Sequence, residues 1–194
     1  MEKATKLKDG TDVLLRSMTK DDLEKSLAFF QGLPEEDRTY LRRDVTKRRF
    51  VEERIREIDS GRVKRLVAVV RGEIAADGAL ELADHGWGED VGEIRLIIAR
   101  PYQRKGLGLL MAGALYELAA GSGVKEIVVR MMRPQKAARG IFRTLGFREE
   151  VFLPDYAKDR TGKRQDVILG RCDLEALWRE LEHYMGDSDW QRTR

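Results

Sequence analysis

Cysteine is nearly absent: Cys172 stands alone among 194 residues. A single thiol can neither close an internal disulfide nor build a thiolate metal cluster. Histidine is scarce as well. His85 and His183 are far apart and lack ligand spacing, so no metal site is expected. No apolar run approaches the roughly 18 residues of a membrane span. Met1 to Asp12 is polar and lacks the apolar stretch of a signal peptide. These absences lead us to expect a reduced, cytoplasmic chain that does not enter membranes. The four prolines are thinly spread, and there is no repeat, low-complexity tract or Ser-rich linker. One domain over residues 1–194 is therefore expected. A large charge of one sign is also missing. Lys plus Arg number 37 and Asp plus Glu 34, a net charge of +3. So small an excess argues against a nucleic-acid partner but suits an anionic small ligand.

Charge and apolar periodicity are what the chain does have. Charged residues make up 37% of it and hydrophobic residues 42%; the usual charged share is about 25%. Val13 to Arg16 reads as a strand after the Asp9-Gly10 turn. Thr19 is a helix N-cap candidate, with Asp21, Asp22 and Glu24 near the positive end of the helix that carries Leu23, Leu27 and Phe30. Pro34 opens a second helix, and Val51, Ile55 and Ile58 mark a third, which stops near Ser60-Gly61. Leu66 to Val70 and Glu73 to Leu82 read as a hairpin around Gly72. Gly92 to Ala99 is a strand ended by Pro101. Gly106 to Ala120 is an apolar helix, Glu126 to Met132 a strand and Gln135 to Leu145 a helix. Phe147 to Leu153 and Arg164 to Arg171 are strands joined by a turn at Asp159 to Gly162. Leu174, Leu177, Trp178, Leu181 and Met185 form one stripe of a closing helix. This order predicts an α+β sheet with helices on its faces.

The informative stretch runs from Gly92 to Gly108 and ends in Gln103-Arg104-Lys105-Gly106-Leu107-Gly108, a Gln-x-x-Gly-x-Gly pattern. A strand enters a turn, and the turn opens a helix. Gly106 has no Cβ, so the backbone can curl towards a ligand. The unbonded N–H groups of the helix start then converge on one spot suited to a phosphate or pyrophosphate. Arg104 and Lys105 add positive charge. The spacing is neither the three-glycine dinucleotide fingerprint nor a Gly-Lys-Ser/Thr phosphate loop.

This segment resembles the acetyl-CoA motif of the GNAT superfamily, including the acidic residue Glu93 on the preceding strand. Ala138 to Phe147, a short helix ending in Gly146-Phe147, resembles that superfamily's second signature. The resemblance covers a core of about residues 12–172. Residues 173–186 are an additional C-terminal amphipathic helix, and residues 187–194 are expected to be a flexible tail. Leu33 to Arg38 and Tyr40 to Arg42 are similar to the bacterial branch that contains protein lysine acetyltransferase domains.

The resemblance implies a mixed, largely antiparallel twisted sheet flanked by helices. It implies acetyl transfer from acetyl-CoA to a primary amine, on a small molecule or a protein lysine. The rival reading is a non-catalytic acyl-CoA-binding regulatory module of the same fold. Glu93 is implied as the base that takes the amine proton, directly or through water; a free lysine, with its pKa of about 10.4, is a cation near neutrality. Burial beside Ile94 and Leu96 is expected to disfavour the Glu93 anion and sharpen it as a base. The alternative is a strand-edge charge paired with Arg95 or Arg130. Leu96, Ile97 and Ile98 are implied to hold the pantetheine arm. Gln103, Arg104, Lys105, Gly106, Leu107, Gly108 and Leu109 would cradle the pyrophosphate, and Gln135 and Phe142 complete the cofactor set. Many relatives carry Asn near Gln135 and Tyr at Phe142, the latter as the acid for the leaving thiolate. Phe142 cannot serve so, yet a thiol of pKa about 8.5 leaves tolerably unaided. Core packing under the cofactor is the preferred role for Phe142, and Tyr156 is a candidate substitute acid.

Other conspicuous residues have plainer readings. Trp87, between Gly86 and Gly88 in an acidic loop, either receives a cationic acceptor or covers the sheet edge. The basic run Arg42, Arg43, Lys47, Arg48 and Arg49 is followed by Glu52, Glu53 and Glu57, and is read as a solvated, ion-paired face. Cys172 is a small buried hydrophobe at a strand end. The Trp178 stripe is core or a contact between two copies in a homodimer.

Overall fold

The computed structural model describes residues 2–83 and 86–176. The chain begins with two paired strands, β1 (Glu2–Lys6) and β2 (Asp12–Ser17), in antiparallel register from Glu2 with Arg16 to Lys6 with Asp12. Nothing in the composition of β1 announces it. Its side chains are mostly exposed, and its stability comes from backbone pairing at a sheet edge and from Leu7, which is buried just beyond it.

A 3-10 turn over Lys20–Asp22 leads into α1 (Leu23–Gly32). Thr19 donates to Asp22 through both its backbone N–H, at 2.9 Å, and its hydroxyl, at 3.2 Å. Thr19 is the N-cap of this turn, as expected, and forms a capping box with Asp22. Arg16 closes the same joint with two parallel bonds to Asp22, at 2.7 and 2.6 Å. This forked contact, with the Thr19 bonds, lowers the Asp22 carboxyl from its ordinary value against the opposing effect of burial. Pro34 precedes α2 (Glu35–Arg38), and α3 (Arg48–Asp59) buries Val51 and Ile55.

The sheet continues with β3 (Val63–Val70), β4 (Glu73–Leu82) and β5 (Val91–Ile98). A 3-10 turn over Arg100–Tyr102 leads to α4 (Leu107–Ala120), followed by β6 (Glu126–Met132), α5 (Lys136–Thr144), β7 (Arg148–Lys158) and β8 (Arg164–Asp173). The spatial order is β1-β2-β3-β4-β5-β6-β8-β7. Every neighbouring pair is antiparallel except β5 and β6. That pair is joined by the α4 crossover, which a parallel connection requires. The result is the expected mixed, largely antiparallel sheet flanked by helices, with β1 added.

Two cores lie on the two faces. Leu66, Leu80, Ile94, Leu107, Met111, Leu115, Ile127 and Phe142 belong to the one beneath α4 and α5. Phe29, Phe30, Val51, Ile55 and Val67 belong to the one beneath α1 and α3. Side chains alternate across a strand, so the central strands β3, β4 and β5 feed both cores. At the C-terminal end of β8, Asp173 Oδ1 accepts the Ala176 N–H at 2.9 Å, the geometry of a helix N-cap. The closing helix expected over 173–186 lies outside the described residues from position 177 onward. So do the 187–194 tail, Trp178, His183 and His85. No helix among the described residues is long and apolar enough to cross a membrane.

Candidate functional site

The central feature is a split in the sheet. β5 and β6 pair only at Val91 with Glu126, Gly92 with Ile127 and Glu93 with Val128. From Ile94 and Val129 onward the two strands part, while β5 stays bonded to β4 as far as Ile98 and β6 to β8 as far as Met132. A cleft of about 570 Å³ fills the opening. It is lined by Ile94, Leu96, Val129, Met131, Ala138 and Phe142 from the α4–α5 side. Arg42, Arg95, Arg130 and Glu81 line it from the α1–α3 side. Because strand residues alternate in direction, a lining drawn from both sets means that the cleft passes through the sheet.

Beyond the end of β5 comes the glycine-containing turn. Gln103 does not point its amide outward: Nε2 donates to the Ile98 carbonyl at 2.9 Å and pins the strand end. Arg104 (φ 59°) and Gly106 (φ 89°) both adopt left-handed backbone. For Gly106 this carries no Cβ penalty. The α4 axis starts immediately after. Leu107, Gly108 and Leu109 supply its first N–H groups, which have no acceptor within the helix, and no acidic side chain occupies that first turn. Such a helix start attracts anions. Gly108 matters for packing as well. A Cβ there would stand 2.8 Å from Ile141 Cδ1 and 3.1 Å from Ile98 Cδ1, so its absence lets α4 lie close to β5 and α5. The β1–β2 turn braces the loop. The Lys8 N–H donates to the Lys105 carbonyl at 3.1 Å, and Lys105 pairs with Asp9 at 2.9 Å. That lysine, with the Thr11 hydroxyl and N–H, holds the Asp9 carboxyl down at about 2.

Glu93 sits where the split begins, on the α1–α3 face, and its side chain is only 12% exposed. Its surroundings differ from the apolar bed expected of Ile94 and Leu96. Those two side chains join the core on the opposite face. Glu93 instead meets three guanidinium groups. Arg42 donates to Oε1, Arg95 Nε lies 3.9 Å from the same oxygen, and Arg130 Nη1 lies 3.7 Å from Oε2. Arg95 also bonds Glu81. Desolvation pushes the Arg95 guanidinium below its ordinary value, with Glu81 opposing. Deeper on this face, Arg54 Nη2 donates to Asp77 Oδ1 at 2.6 Å, and Arg65 bonds Glu57 at 2.8 Å and the Arg54 carbonyl at 3.1 Å.

The other expected cofactor residues fall as follows. Leu96, Ile97, Gln135 and Phe142 line the cleft; Ile98 and Gln103 to Leu109 follow from the β5 terminus. Gln135 Oε1 accepts the Met132 N–H at 2.7 Å and closes the β6–α5 turn. Phe142 is buried edge-on to Phe147, with ring centroids 5.1 Å apart. Tyr156 is 61% exposed and is not part of the cleft lining, whereas Tyr40 is. In the sequence Tyr40 carried only a branch resemblance, and nothing local marked it as a lining residue. Trp87 is fully exposed, so it does not cover the sheet edge, and it lies outside the cleft lining. In the basic run Arg43 pairs with Glu53 at 2.9 Å and Arg48 with Glu24 at 2.5 Å, as a solvated face would; Arg42 is the one that turns inward to Glu93. Cys172 is buried near the end of β8. No cluster of three or more metal-ligating side chains occurs among the described residues.

Comparison with known proteins places this architecture. No curated protein matches the chain by sequence. Among solved structures, the GNAT domain of S. lividans PAT superposes with a TM-score of 0.75 at 17% identity, covering 89% of this chain and 96% of that one. Ribosomal-protein-S5-alanine acetyltransferase from Vibrio fischeri superposes with a TM-score of 0.75 at 11% identity, covering 89% and 96%. The yncA protein of Salmonella typhimurium, solved with its cofactor acetyl-CoA, gives 0.68 at 16% identity, covering 84% and 94%. At such identities the likeness establishes the fold. The sequence model of the acetyltransferase (GNAT) family matches residues 24–147, a span that holds the split strands, the glycine-opened helix and α5. On that match, over more than half its length and across the whole of the cleft's framework, the chain belongs to the acetyltransferase (GNAT) family.

Proposed function

We propose that this chain is an N-acetyltransferase, folded as one domain, that moves the acetyl group of acetyl-CoA to a primary amine. The observation that carries the reading is the parting of β5 from β6 directly after Glu93, which opens a passage through the sheet beside an anion-attracting helix start. The backbone of Arg104 to Leu109 would take the pyrophosphate. The unpaired edge of β5 from Leu96 to Ile98 would accept the pantetheine amides as an added strand would. The apolar lining of Val129, Met131 and Phe142 would exclude water from the thioester. The amine enters from the α1–α3 face. Glu93 takes its proton, the nitrogen lone pair forms a bond to the acetyl carbon, and the carbon–sulfur bond breaks with its electrons leaving on the thiolate. Phe142 supplies no acid, and the thiolate, of conjugate pKa about 8.5, departs without one.

The rival is an acyl-CoA-binding regulatory module, favoured by Phe142 and by the Arg42 contact that covers Glu93. Calorimetric titration with acetyl-CoA, followed by timed CoA release against amines and lysine peptides, separates the two. Binding with acceptor-dependent release is the expected result. Binding without release on any acceptor favours the module, and absence of binding overturns both.

Gly106→Val tests the helix start. A β-branched residue held at φ 89° is strained by about 1–2 kcal/mol or more. The loop is expected to relax and lose its aimed N–H groups. Acetyl-CoA affinity should fall about tenfold or more, with the far-UV dichroism of the folded chain retained. Unchanged affinity would remove the loop from the cofactor site.

A further inference from the structure

Glu93 has more cationic neighbours than its single charge requires. Arg42, Arg95 and Arg130 converge on it, and Glu81 is the second carboxylate in the group. Further along the cleft Arg54 pairs with Asp77, Arg65 with Glu57 and Arg43 with Glu53, so the guanidinium excess is concentrated at Glu93 and Glu81. This matters for any amine that approaches. It arrives as a cation, and to pair with Glu93 Oε1 it replaces Arg42 there. A guest with positive charge alone would then leave Arg42 unpaired in a partly desolvated site, beside Arg95 and Arg130. Like charges in such a setting repel. A guest carrying its own carboxylate removes the conflict. Its ammonium takes Glu93, its carboxylate takes the released guanidinium, and neither Glu93 nor Arg42 is left without a partner. Guanidinium groups suit this exchange because their planar fork matches a carboxylate with two parallel bonds.

The walls limit the size of the guest. The segment carrying Tyr40 to Val45 lies over the cleft and is fastened from several sides. The Arg160 N–H donates to the Thr39 carbonyl at 3.1 Å, and the Arg160 guanidinium to Asp44 at 2.7 Å. Arg43 reaches Glu53 on α3 at 2.9 Å, and Gln31 on α1 holds the Thr46 carbonyl at 3.1 Å. An extended peptide would have to break this fastening, whereas a compact molecule would not.

We propose that the acceptor is a small amino-acid-like zwitterion, a primary amine with a carboxylate a few bonds away, held by Arg42 and Arg130 while its amine faces Glu93. The assignment rests on the acetyltransferase reading and specifies its substrate class. It predicts that Arg42 changes partner during each cycle, from Glu93 to the substrate carboxylate.

The test uses matched pairs of proteinogenic amino acids against their α-carboxamides and decarboxylated amines, with lysine-containing and acidic peptides as further arms. CoA release is followed at saturating acetyl-CoA. Amino-acid binding in the presence of CoA is measured separately by calorimetry. At least one amino acid should exceed its amide and its decarboxylated amine by about tenfold or more in kcat/KM. Arg42→Ala and Arg130→Ala should each raise KM for that amino acid by about tenfold, with the amide affected less than about threefold. Arg42→Lys, which preserves charge and fold but not the fork, should restore only part of the loss. Arg48→Ala, on the outer face, should change neither. Peptides or carboxylate-free amines used as well as the amino acids would overturn the substrate class and leave the acetyltransferase reading intact. Equal effects of the arginine substitutions on both members of a pair would do the same. Amino acids that bind in an Arg42-dependent manner without any CoA release would uphold the carboxylate site and overturn the transferase. An absence of both binding and release across the panel would overturn this proposal.

Discussion

Glu93→Gln is expected to lower kcat/KM for amine acetylation by about 100- to 1,000-fold near neutral pH, the usual contribution of a positioned base. The amide keeps the size and the hydrogen-bonding reach of the carboxylate but cannot accept a proton. The surviving rate should climb with pH, because the fraction of free amine rises towards a pKa of about 10.4 for a lysine-like acceptor. The wild-type profile should level off earlier. Acetyl-CoA affinity is a separate readout and should stay within about threefold, since Glu93 faces the α1–α3 side and the cofactor loop begins beyond Ile98. Loss of the carboxylate also removes a shared partner of Arg42, Arg95 and Arg130. The first and last of these are 42% and 48% exposed, so water can take over much of what they lose. Turnover unchanged at every pH on a good acceptor would remove Glu93 from the reaction.

Asp77→Ala is expected to cost about 3 kcal/mol of folding stability, the lower end of the range for breaking a buried ion pair. Asp77 and Arg65 are 5% and 2% exposed, and Arg54, at 15%, donates to Asp77 Oδ1 at 2.6 Å. Desolvation already pushes the Arg65 guanidinium below its ordinary value, and the like charge of Arg54 adds to this. Asp77 and Glu57 are the groups that oppose it. Removing Asp77 leaves the Arg54 guanidinium buried against the Phe30 ring, 4.8 Å from its centroid, with its main counter-charge gone. Glu57 still serves Arg65 at 2.8 Å, which is why the lower figure applies. Urea unfolding should show a lower midpoint with an unchanged slope. Lys6→Ala, which removes an exposed pair with Asp12, should stay within about 0.5 kcal/mol. Equal stability of the two variants would mean that water reaches Arg54 and Arg65.

Glu93 and Asp77 lie at different depths of the same sheet face, and the sequence announces them unequally. Glu93 could be picked out because it precedes a recognisable turn and helix. Asp77 could not. It lies in Glu73 to Leu82, a run that reads as an ordinary half of a hairpin, and its partner Arg54 is 23 positions away on α3. Likewise Arg42 reads as one member of a basic run. Only the path of the chain after α2 brings it to Glu93, 51 positions on.

Local patterns were legible wherever apolar periodicity or glycine set the backbone. β4 and β6 have the limits that alternation and turn residues indicated, and α4 starts directly after Gly106, whose left-handed φ of 89° favours glycine. The edge strand β1 was not legible, because its polar residues carry no periodicity and its backbone bonds depend on β2. The placement of β8 between β6 and β7 was not legible either, since pairing order is a long-range choice that neighbouring residues do not encode.

Local sequence thus determined the glycine-opened helix start, the strand before it, the carboxylate on that strand and the family resemblance, all of which follow from contacts within a few residues. The tertiary structure alone decided that the split sheet makes a passage, that Glu93 faces the Arg95 and Arg130 weighed as its partners, with Arg42 added, and not an apolar bed, and that Tyr40, rather than Tyr156, lines the cleft. The physical reason is the alternation of strand side chains. Ile94 and Leu96 are Glu93's neighbours in sequence but belong to the opposite face, so the groups that set its chemistry come from α2's exit, from β6 and from Arg95 two residues on.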